Sequence, residues 1–186
     1  PRAGDLDKGL VAIAYGPDKI EEHKAVTVAG LPALRADCEV LWVDLVGVHD
    51  ARLLRSLGEM FGLHPLALED AQSVHQRPKV EDFEQHEFIT LRLPHLEPAF
   101  STEQISIFVL DDMVVTLQEH EGDAFEGIRR RIREGRRRIR SRGSDYLGYA
   151  LLDAVVDHFF PVLEALGDRL EQMEEVLLVD PQREHL

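Results

Sequence analysis

Short apolar runs bounded by polar residues predict the first strands of the protein. The runs cover residues 10–15, 25–29 and 39–46. The third run, EVLWVDLV, is apolar along most of its length, as in a strand that is covered on both faces. We expect this strand to lie inside a sheet rather than at its edge.

A helical period replaces the strand pattern after the third run. In HDARLLRSLGEMFG, one helix face carries the apolar residues Leu53, Leu54, Leu57, Met60 and Phe61. Asp50 precedes them as a candidate N-cap, and Gly62 follows as a candidate C-terminal stop. We expect an amphipathic helix packed on the sheet, and then a short helix that begins at His64-Pro65 and reaches Asp70.

Two further strand-like runs follow, at residues 87–93 and 103–110. Asp111 and Asp112 join the second of them to MVVTLQ, and a two-residue link between apolar runs predicts a tight antiparallel hairpin. A hairpin beside strands that are separated by helices favours a mixed sheet. The expected fold class is therefore α/β, with helices packed against a mixed sheet.

The longest periodic segment begins after Gly143. Its apolar residues recur at alternating spacings of 4 and 3: Leu152, Val156, Phe159, Leu163, Leu166, Leu170, Met173 and Leu177. This seam is typical of a long helix that packs on another helix or another chain. Pro161 predicts a kink or a joint in it, because a proline ring crowds the carbonyl four residues earlier, here that of Asp157.

Charge and composition narrow the classes of function. The chain has 186 residues, a formal net charge of -14 and one cysteine, Cys38, which excludes a disulfide framework and a thiolate zinc site. Residues 126–142 hold nine arginines and two glutamates, without aromatic residues for base stacking, so no nucleic-acid partner is expected. No run approaches the roughly 20 apolar residues that cross a bilayer, so we expect this chain to be soluble by itself.

Two pairs of acids are candidate ligands for a divalent cation. Asp153 and Asp157 are four residues apart, which places them one above the other on a helix face, although the same spacing is common on solvated acidic faces. Glu69 and Asp70 are neighbours and point about 100° apart on a helix, so they would face two different partners. A seam between subunits would suit such a pair.

Signatures of catalysis are missing from the sequence. It contains no Gly-rich phosphate loop, no Gly-x-Ser-x-Gly elbow and no supported Cys/His pair. We therefore expect no enzyme and assign no catalytic residues. A free-standing metal-dependent hydrolase is the alternative from a different class.

Several longer motifs resemble one known family. They are FGLHPLALED (61–70), VHQRPKVEDF (74–83), EQISIFVLDDMVVTLQE (103–119), RRRIREG (129–135) and SDYLGYALLDAVVDHFFPVLEALGDRLEQME (144–174). In this order they resemble the CorA-type magnesium transporter family, from about Trp42 to Val176. The resemblance implies a cytosolic α/β/α sandwich over residues 1–142 and the start of a helical stalk over residues 143–186. The membrane helices and the Gly-Met-Asn selectivity signature would lie outside this chain.

The family resemblance also implies a role for the acids. Residues matching Glu69, Asp70 and Asp153 bind regulatory divalent ions at the interface between protomers of a homopentamer, at the cytoplasmic face of the inner membrane. Weak Mg²⁺ binding would neutralise these carboxylates and favour the closed state. Other divalent cations, and the equivalent domain of a ZntB-like zinc transporter, are the alternatives. The HQRPKV run would form a structural turn that leads from the short helix to the sheet.

Overall fold

The structure is a computed structural model, and it describes residues 10–47, 50–96, 99–120, 122, 124–135 and 137–179. Strands within these ranges are β1 (Leu10–Tyr15), β2 (Ile20–His23), β3 (Val40–Val46), β4 (Lys79–Phe83), β5 (His86–His95), β6 (Ser101–Val109) and β7 (Met113–Gln118). Helices there are α1 (Leu31–Ala36), α2 (Ala51–Phe61), α3 (Pro65–Gln72), α4 (Glu126–Arg133), α5 (Arg137–Arg140), α6 (Ser144–Asp157) and α7 (Phe159–Val179).

The described strands form one mixed sheet in the order β2-β1-β3-β7-β6-β5-β4. β3 and β7 pair in parallel at its centre, and the other neighbours pair antiparallel. The strands β6 and β7 form the hairpin that Asp111 and Asp112 predict, and the Leu110 amide donates to the Met113 carbonyl there. The predicted α/β class with a mixed sheet is confirmed.

Alternating side chains give the sheet two buried faces. Along β3, Leu41 and Val43 pack with α2 and α3, whereas Val40 and Trp42 pack with α4 and α6 on the other side. Successive residues of a strand point to opposite faces, so an almost wholly apolar strand requires a helical layer on each side. The result is the expected α/β/α sandwich.

The amphipathic helix α2 follows its sequence pattern closely. Asp50 caps it, and its carboxylate accepts hydrogen bonds from the amides of Arg52 and Leu53. Gly62 ends it at a φ of 70°, a left-handed conformation that favours glycine. Its face carrying Leu53, Leu54, Leu57 and Phe61 is buried, as predicted, whereas Met60 is exposed.

The strand predicted at residues 25–29 is wrong. Val28–Gly30 forms a single 3-10 turn that leads into α1. The second strand is instead Ile20–His23, whose sequence IEEH is mostly polar and only partly buried. An edge strand covers less apolar surface than a central one, and this one therefore carries no hydrophobic run that the sequence could reveal.

The C-terminal helical segment consists of two helices. α6 packs on the sheet through Leu147, Leu151 and Val155, and α7 begins after a joint at His158. Pro161 is the third residue of α7 and has no amide to donate to the Asp157 carbonyl, so the joint predicted from this proline is confirmed. The boundary between sandwich and stalk at residue 142 remains a prediction.

The apolar seam from the last turn of α6 along α7 is exposed in this chain, although Val162 of α7 is buried. The seam residues Val156, Phe159, Leu163, Leu166, Leu170, Met173 and Leu177 are each 37–65% exposed. No helix in the described ranges packs over them, so a partner for the seam would have to come from outside those ranges. None of the described helices has the length and hydropathy of a bilayer-spanning segment.

Candidate divalent-cation site

Glu69 and Asp70 lie on the short helix α3. The His64 side chain caps this helix by accepting a hydrogen bond from the Leu66 amide, and Pro65 occupies its first turn. Ala67 and Ala71 are buried against the sandwich, and their small side chains let the helix approach the core closely. Glu69 is exposed and Asp70 half-buried on the outer side of the helix.

The run that follows α3 holds Asp70. Lys79 Nζ lies 2.6 Å from Asp70 Oδ2, and Gln76 Nε2 donates to Asp70 Oδ1 at 2.9 Å. The hydrogen bond to Asp70, with a second one to Glu81, raises the pKa of Lys79. A divalent cation at Asp70 would have to share this carboxylate with a lysine or displace it.

The HQRPKV run was predicted to be a turn, but its last two residues form the start of a strand. Lys79 and Val80 already belong to β4, which pairs with β5 at the edge of the sheet. Gln104 on β6 connects the residues before β4 to the sheet. Its Oε1 accepts a hydrogen bond from the backbone amide of Gln76, and its Nε2 donates one to the backbone carbonyl of Asp70. Arg92 donates to the Val74 carbonyl at 2.7 Å, which fixes the start of the run.

Glu69 has different surroundings from Asp70. It lines a recess of about 510 Å³ between α2 and α3, together with Arg55, Glu59 and Gln72. No ion pair with Glu69 is found among the described residues. Glu69 is therefore accessible from outside the chain, whereas Asp70 is anchored within it.

Asp153 and Asp157 lie on α6, on the opposite side of the sheet from α3. Both are exposed and line a recess of about 240 Å³ between α4 and α6, which Arg130 and Arg131 also line. The i and i+4 spacing does place both acids on one helix face, as predicted. The nearby guanidinium groups weaken the attraction of this face for a cation.

The four candidate acids do not meet within one chain. α3 packs on the face of the sheet that holds Leu41, and α6 packs on the face that holds Trp42. In the part of the chain that the structure describes, no three His, Cys, Asp or Glu side chains are arranged to hold a metal ion. The assignment of Glu69, Asp70, Asp153 and Asp157 as metal ligands thus stays a prediction.

The sequence pattern did not reveal a buried ion pair that joins α4 to the sheet. Asp44 on β3 pairs with Arg129 of α4 and accepts hydrogen bonds from Thr116 and Gln118. Arg129 also lies over the Trp42 ring, 5.2 Å from its centroid. Burial raises the pKa of Asp44, against the opposing effect of Arg129. The position of Asp44 inside the apolar run EVLWVDLV was the one sequence feature that could have indicated this ion pair.

The fold of this chain resembles the folds of several solved metal-transporter domains. The chain superposes on the soluble domain of CorA from Methanocaldococcus jannaschii with a TM-score of 0.72 at 20% identity, covering 98% of this chain and 69% of that one. The complete CorA magnesium transporter from the same organism gives 0.71 at 21% identity, covering 95% and 53%. The ZntB cytoplasmic domain from Vibrio parahaemolyticus gives 0.64 at 11% identity, covering 89% and 65%. At these identities the similarity establishes the fold alone.

Sequence comparison then identifies the family. Residues 37–186 match the CorA-like Mg²⁺ transporter protein family. The cobalt/magnesium transport protein CorA of Thermotoga maritima is 38% identical over 181 residues, which is 96% of this chain and 52% of that protein. Magnesium transporter ALR1 of Saccharomyces cerevisiae is 29% identical over 138 residues, covering 72% and 16%. The chain belongs to the family of CorA-like Mg²⁺ transporter proteins, and it spans about half the length of the first of these relatives.

Proposed function

We propose that this chain is the cytosolic, divalent-cation-sensing part of a CorA-like magnesium transporter or channel, and that it has no enzymatic role. In the full-length protein it lies at the cytoplasmic face of the membrane and assembles with other copies into a homopentamer. One observation carries the proposal above all: 38% identity over nearly the whole chain to a cobalt/magnesium transport protein.

The sensing site is shared between protomers. Its acids lie on two opposite sides of the sheet, so one cation cannot contact α3 and α6 of the same chain. Neighbouring copies in a ring present different sides to each other, which brings an α3 face against acids of the next protomer. Such a geometry supports cation binding between copies rather than within one.

Magnesium suits such a site because it keeps several of its waters and needs only one or two carboxylates. Bound ions neutralise acids on adjacent protomers and stabilise the closed state. When magnesium falls, the carboxylates repel one another and the stalks separate. The net charge of -14 makes this repulsion strong in the absence of cations.

The two acids on α3 have different parts in this mechanism. Glu69 is exposed and reaches the neighbouring protomer directly. Asp70 is paired with Lys79, so a cation competes with the lysine ammonium for the same carboxylate. This competition weakens binding and keeps the sensor responsive when magnesium is abundant.

Limited proteolysis of the full-length transporter across a magnesium titration tests the proposal. The variant is E69Q/D70N/D153N/D157N, which keeps side-chain volume and removes four charges. We expect its protection midpoint to move to at least about tenfold higher magnesium, the effect of losing about 1.4 kcal/mol of binding free energy.

The control is D18N/E39Q/D82N/D111N, which removes the same number of charges from exposed acids outside both recesses. We expect its midpoint to match the wild type. Equal midpoints for all three proteins would contradict the sensing role of the four acids. A midpoint that moves for zinc but not for magnesium would favour the zinc-transporter alternative.

A further inference from the structure

Two histidines hold the connection between α2 and α3. The His64 backbone amide donates a hydrogen bond to His86 Nε2 on β5 at 2.9 Å. The His64 side chain in turn accepts a hydrogen bond from the Leu66 amide at Nδ1, at 3.2 Å. In both bonds an imidazole nitrogen acts as the acceptor, which requires that nitrogen to carry no proton.

Aromatic rings contact both histidines, of which His64 is exposed and His86 is buried. Phe83 stacks on His64 with 4.5 Å between centroids and lies 5.0 Å from His86, which also contacts Phe108 edge-on. His86 is only 4% exposed, and its Nδ1 has no hydrogen-bond partner of good geometry among the described residues. A positive charge on this ring would therefore be buried among apolar groups, where it is costly.

We propose that His86 and His64 form a proton-sensitive latch that holds the N-terminal end of α3 on the sheet and opens on acidification. A protonated imidazole has two donors and no acceptor, so protonation of His86 breaks its bond to the His64 amide. The loss of this bond removes a contact that positions the first turn of α3.

The direction of the pH response follows from the surroundings of His86. Burial lowers the pKa of His86, the Glu87 backbone raises it in part, and the His64 ring lowers it further. With a folded-state pKa below the ordinary value of 6.5, the unfolded or open state binds more protons in that range. The latch is therefore complete above about pH 6.5 and weakens as the pH falls below it.

Charged groups near His86 surround an open recess of about 640 Å³ at the end of the sheet. They are Arg35 from α1, Asp82, Glu84 and Glu87 from the β4–β5 hairpin, Asp111 from the β6–β7 turn and Asp145 from α6. The five carboxylates are exposed, so solvent and salt screen their attraction for a protonated ring.

The latch acts on the helix that carries Glu69 and Asp70. The far end of α3 stays tied through Asp70 to Gln76 and Lys79, so acidification releases one end of the helix only. If these acids sense magnesium, an assumption that rests on the proposed function, opening the latch shifts Glu69 and makes the sensor pH-dependent. The latch itself needs no metal.

Amide hydrogen exchange of the ¹⁵N-labelled 186-residue chain in metal-free buffer tests the latch. The reporters are the amides of Leu66 and Leu68, bonded to the His64 side chain and carbonyl, and Leu57 of α2 serves as the internal reference. Between about pH 7.5 and 5.5 we expect their protection factors, corrected for intrinsic exchange, to fall about tenfold relative to Leu57.

Two variants keep the test decisive. H86Q replaces the buried ring with a neutral amide, so we expect less than about a threefold loss of protection in it. H64N retains a capping side chain and the backbone amide that His86 accepts from, so it should lose protection as the wild type does. H120Q, which changes an exposed histidine, should behave as the wild type. Protection that does not change with pH in the wild type, or an undiminished loss in H86Q, would overturn the latch.

Imidazole ¹⁵N spectra give a second readout that does not depend on the variants. At about pH 7.5 the spectrum should show His86 neutral, with Nδ1 protonated and Nε2 bare. A proton on Nε2 would contradict the hydrogen bond on which the latch depends. Because no metal is present, failure of the magnesium-sensing proposal would leave both readouts unchanged.

Discussion

The sandwich and helix α7 differ in the exposure of their apolar side chains. In the sandwich, Phe88, Phe108 and Trp42 are completely buried between the sheet and its helices. On α7, residues such as Leu163 and Leu170 are more than half exposed. The sandwich therefore buries its apolar side chains within this chain. Helix α7 instead carries an apolar surface that only a further helix or a second copy can cover.

This difference predicts where mutations act. Substitutions in the sandwich should change the unfolding of this chain, and substitutions on α7 should change only its association. The one tryptophan, Trp42, is buried in the sandwich against Phe125, so its fluorescence reports the unfolding of the sandwich.

Phe108→Ala should have the largest effect. Phe108 is fully buried at the centre of the α2 and α3 face, in contact with Phe88 and His86. Removing the ring should lower the free energy of unfolding by about 4 kcal/mol, from lost burial and the cavity that remains. Urea unfolding followed by Trp42 fluorescence measures it. A loss below about 1 kcal/mol would mean that the core is not packed as described.

Asp44→Asn should have the second-largest effect on the free energy of unfolding. The substitution keeps the shape of the side chain but removes the negative charge that pairs with Arg129 and ties α4 to β3. We expect a loss of about 3 kcal/mol in the same urea experiment, because the guanidinium keeps its charge in a largely buried position. The matched control is Asp18→Asn on the exposed β1–β2 turn, which should change stability little.

Lys79→Met should have a modest effect on stability. It removes the ion pair with Asp70, both partners being partly exposed, so the loss should be about 1 kcal/mol. In the full-length transporter the same variant should bind magnesium more tightly, because Asp70 is freed from its lysine. Lys24→Met, at an exposed position, is the control. Weaker magnesium protection in Lys79→Met would refute the competition between lysine and cation.

Leu166→Ser with Leu170→Ser should have the smallest effect on unfolding. Both residues are exposed on α7, so the sandwich should change by less than about 0.5 kcal/mol. Sedimentation equilibrium should instead show weaker self-association than in the wild type. If the double substitution destabilised the sandwich as much as Asp44→Asn, the part of α7 that carries Leu166 and Leu170 would have to pack on the sandwich in solution.

Periodicity in the sequence predicted the elements that bury a continuous apolar surface. β3, the amphipathic face of α2 with its Asp50 cap and the β6–β7 hairpin all follow from it. The pattern missed β2 and β4, because both are edge strands with mixed or polar sequences. It also missed α1, a helix of six residues that is too short to show a period.

The candidate site was less accessible to sequence reasoning. The spacing of Asp153 and Asp157 on one helix face could be predicted, since it depends only on helix geometry. The hydrogen bonds from Lys79 and Gln76 to Asp70 could not be predicted from the sequence. They form only because the chain reverses direction after α3 and begins β4. Nor could a sequence show that α3 and α6 lie on opposite sides of the sheet.

Counting bound Mn²⁺ by electron paramagnetic resonance tests the central claim most directly, namely that these acids bind a cation only where protomers meet. Mn²⁺ prefers the same oxygen ligands as Mg²⁺. The full-length transporter should show saturable binding that E69Q/D70N/D153N/D157N loses, and the isolated 186-residue chain should bind only weakly. Equally tight binding by the isolated chain, or undiminished binding by the full-length variant, would contradict a shared site.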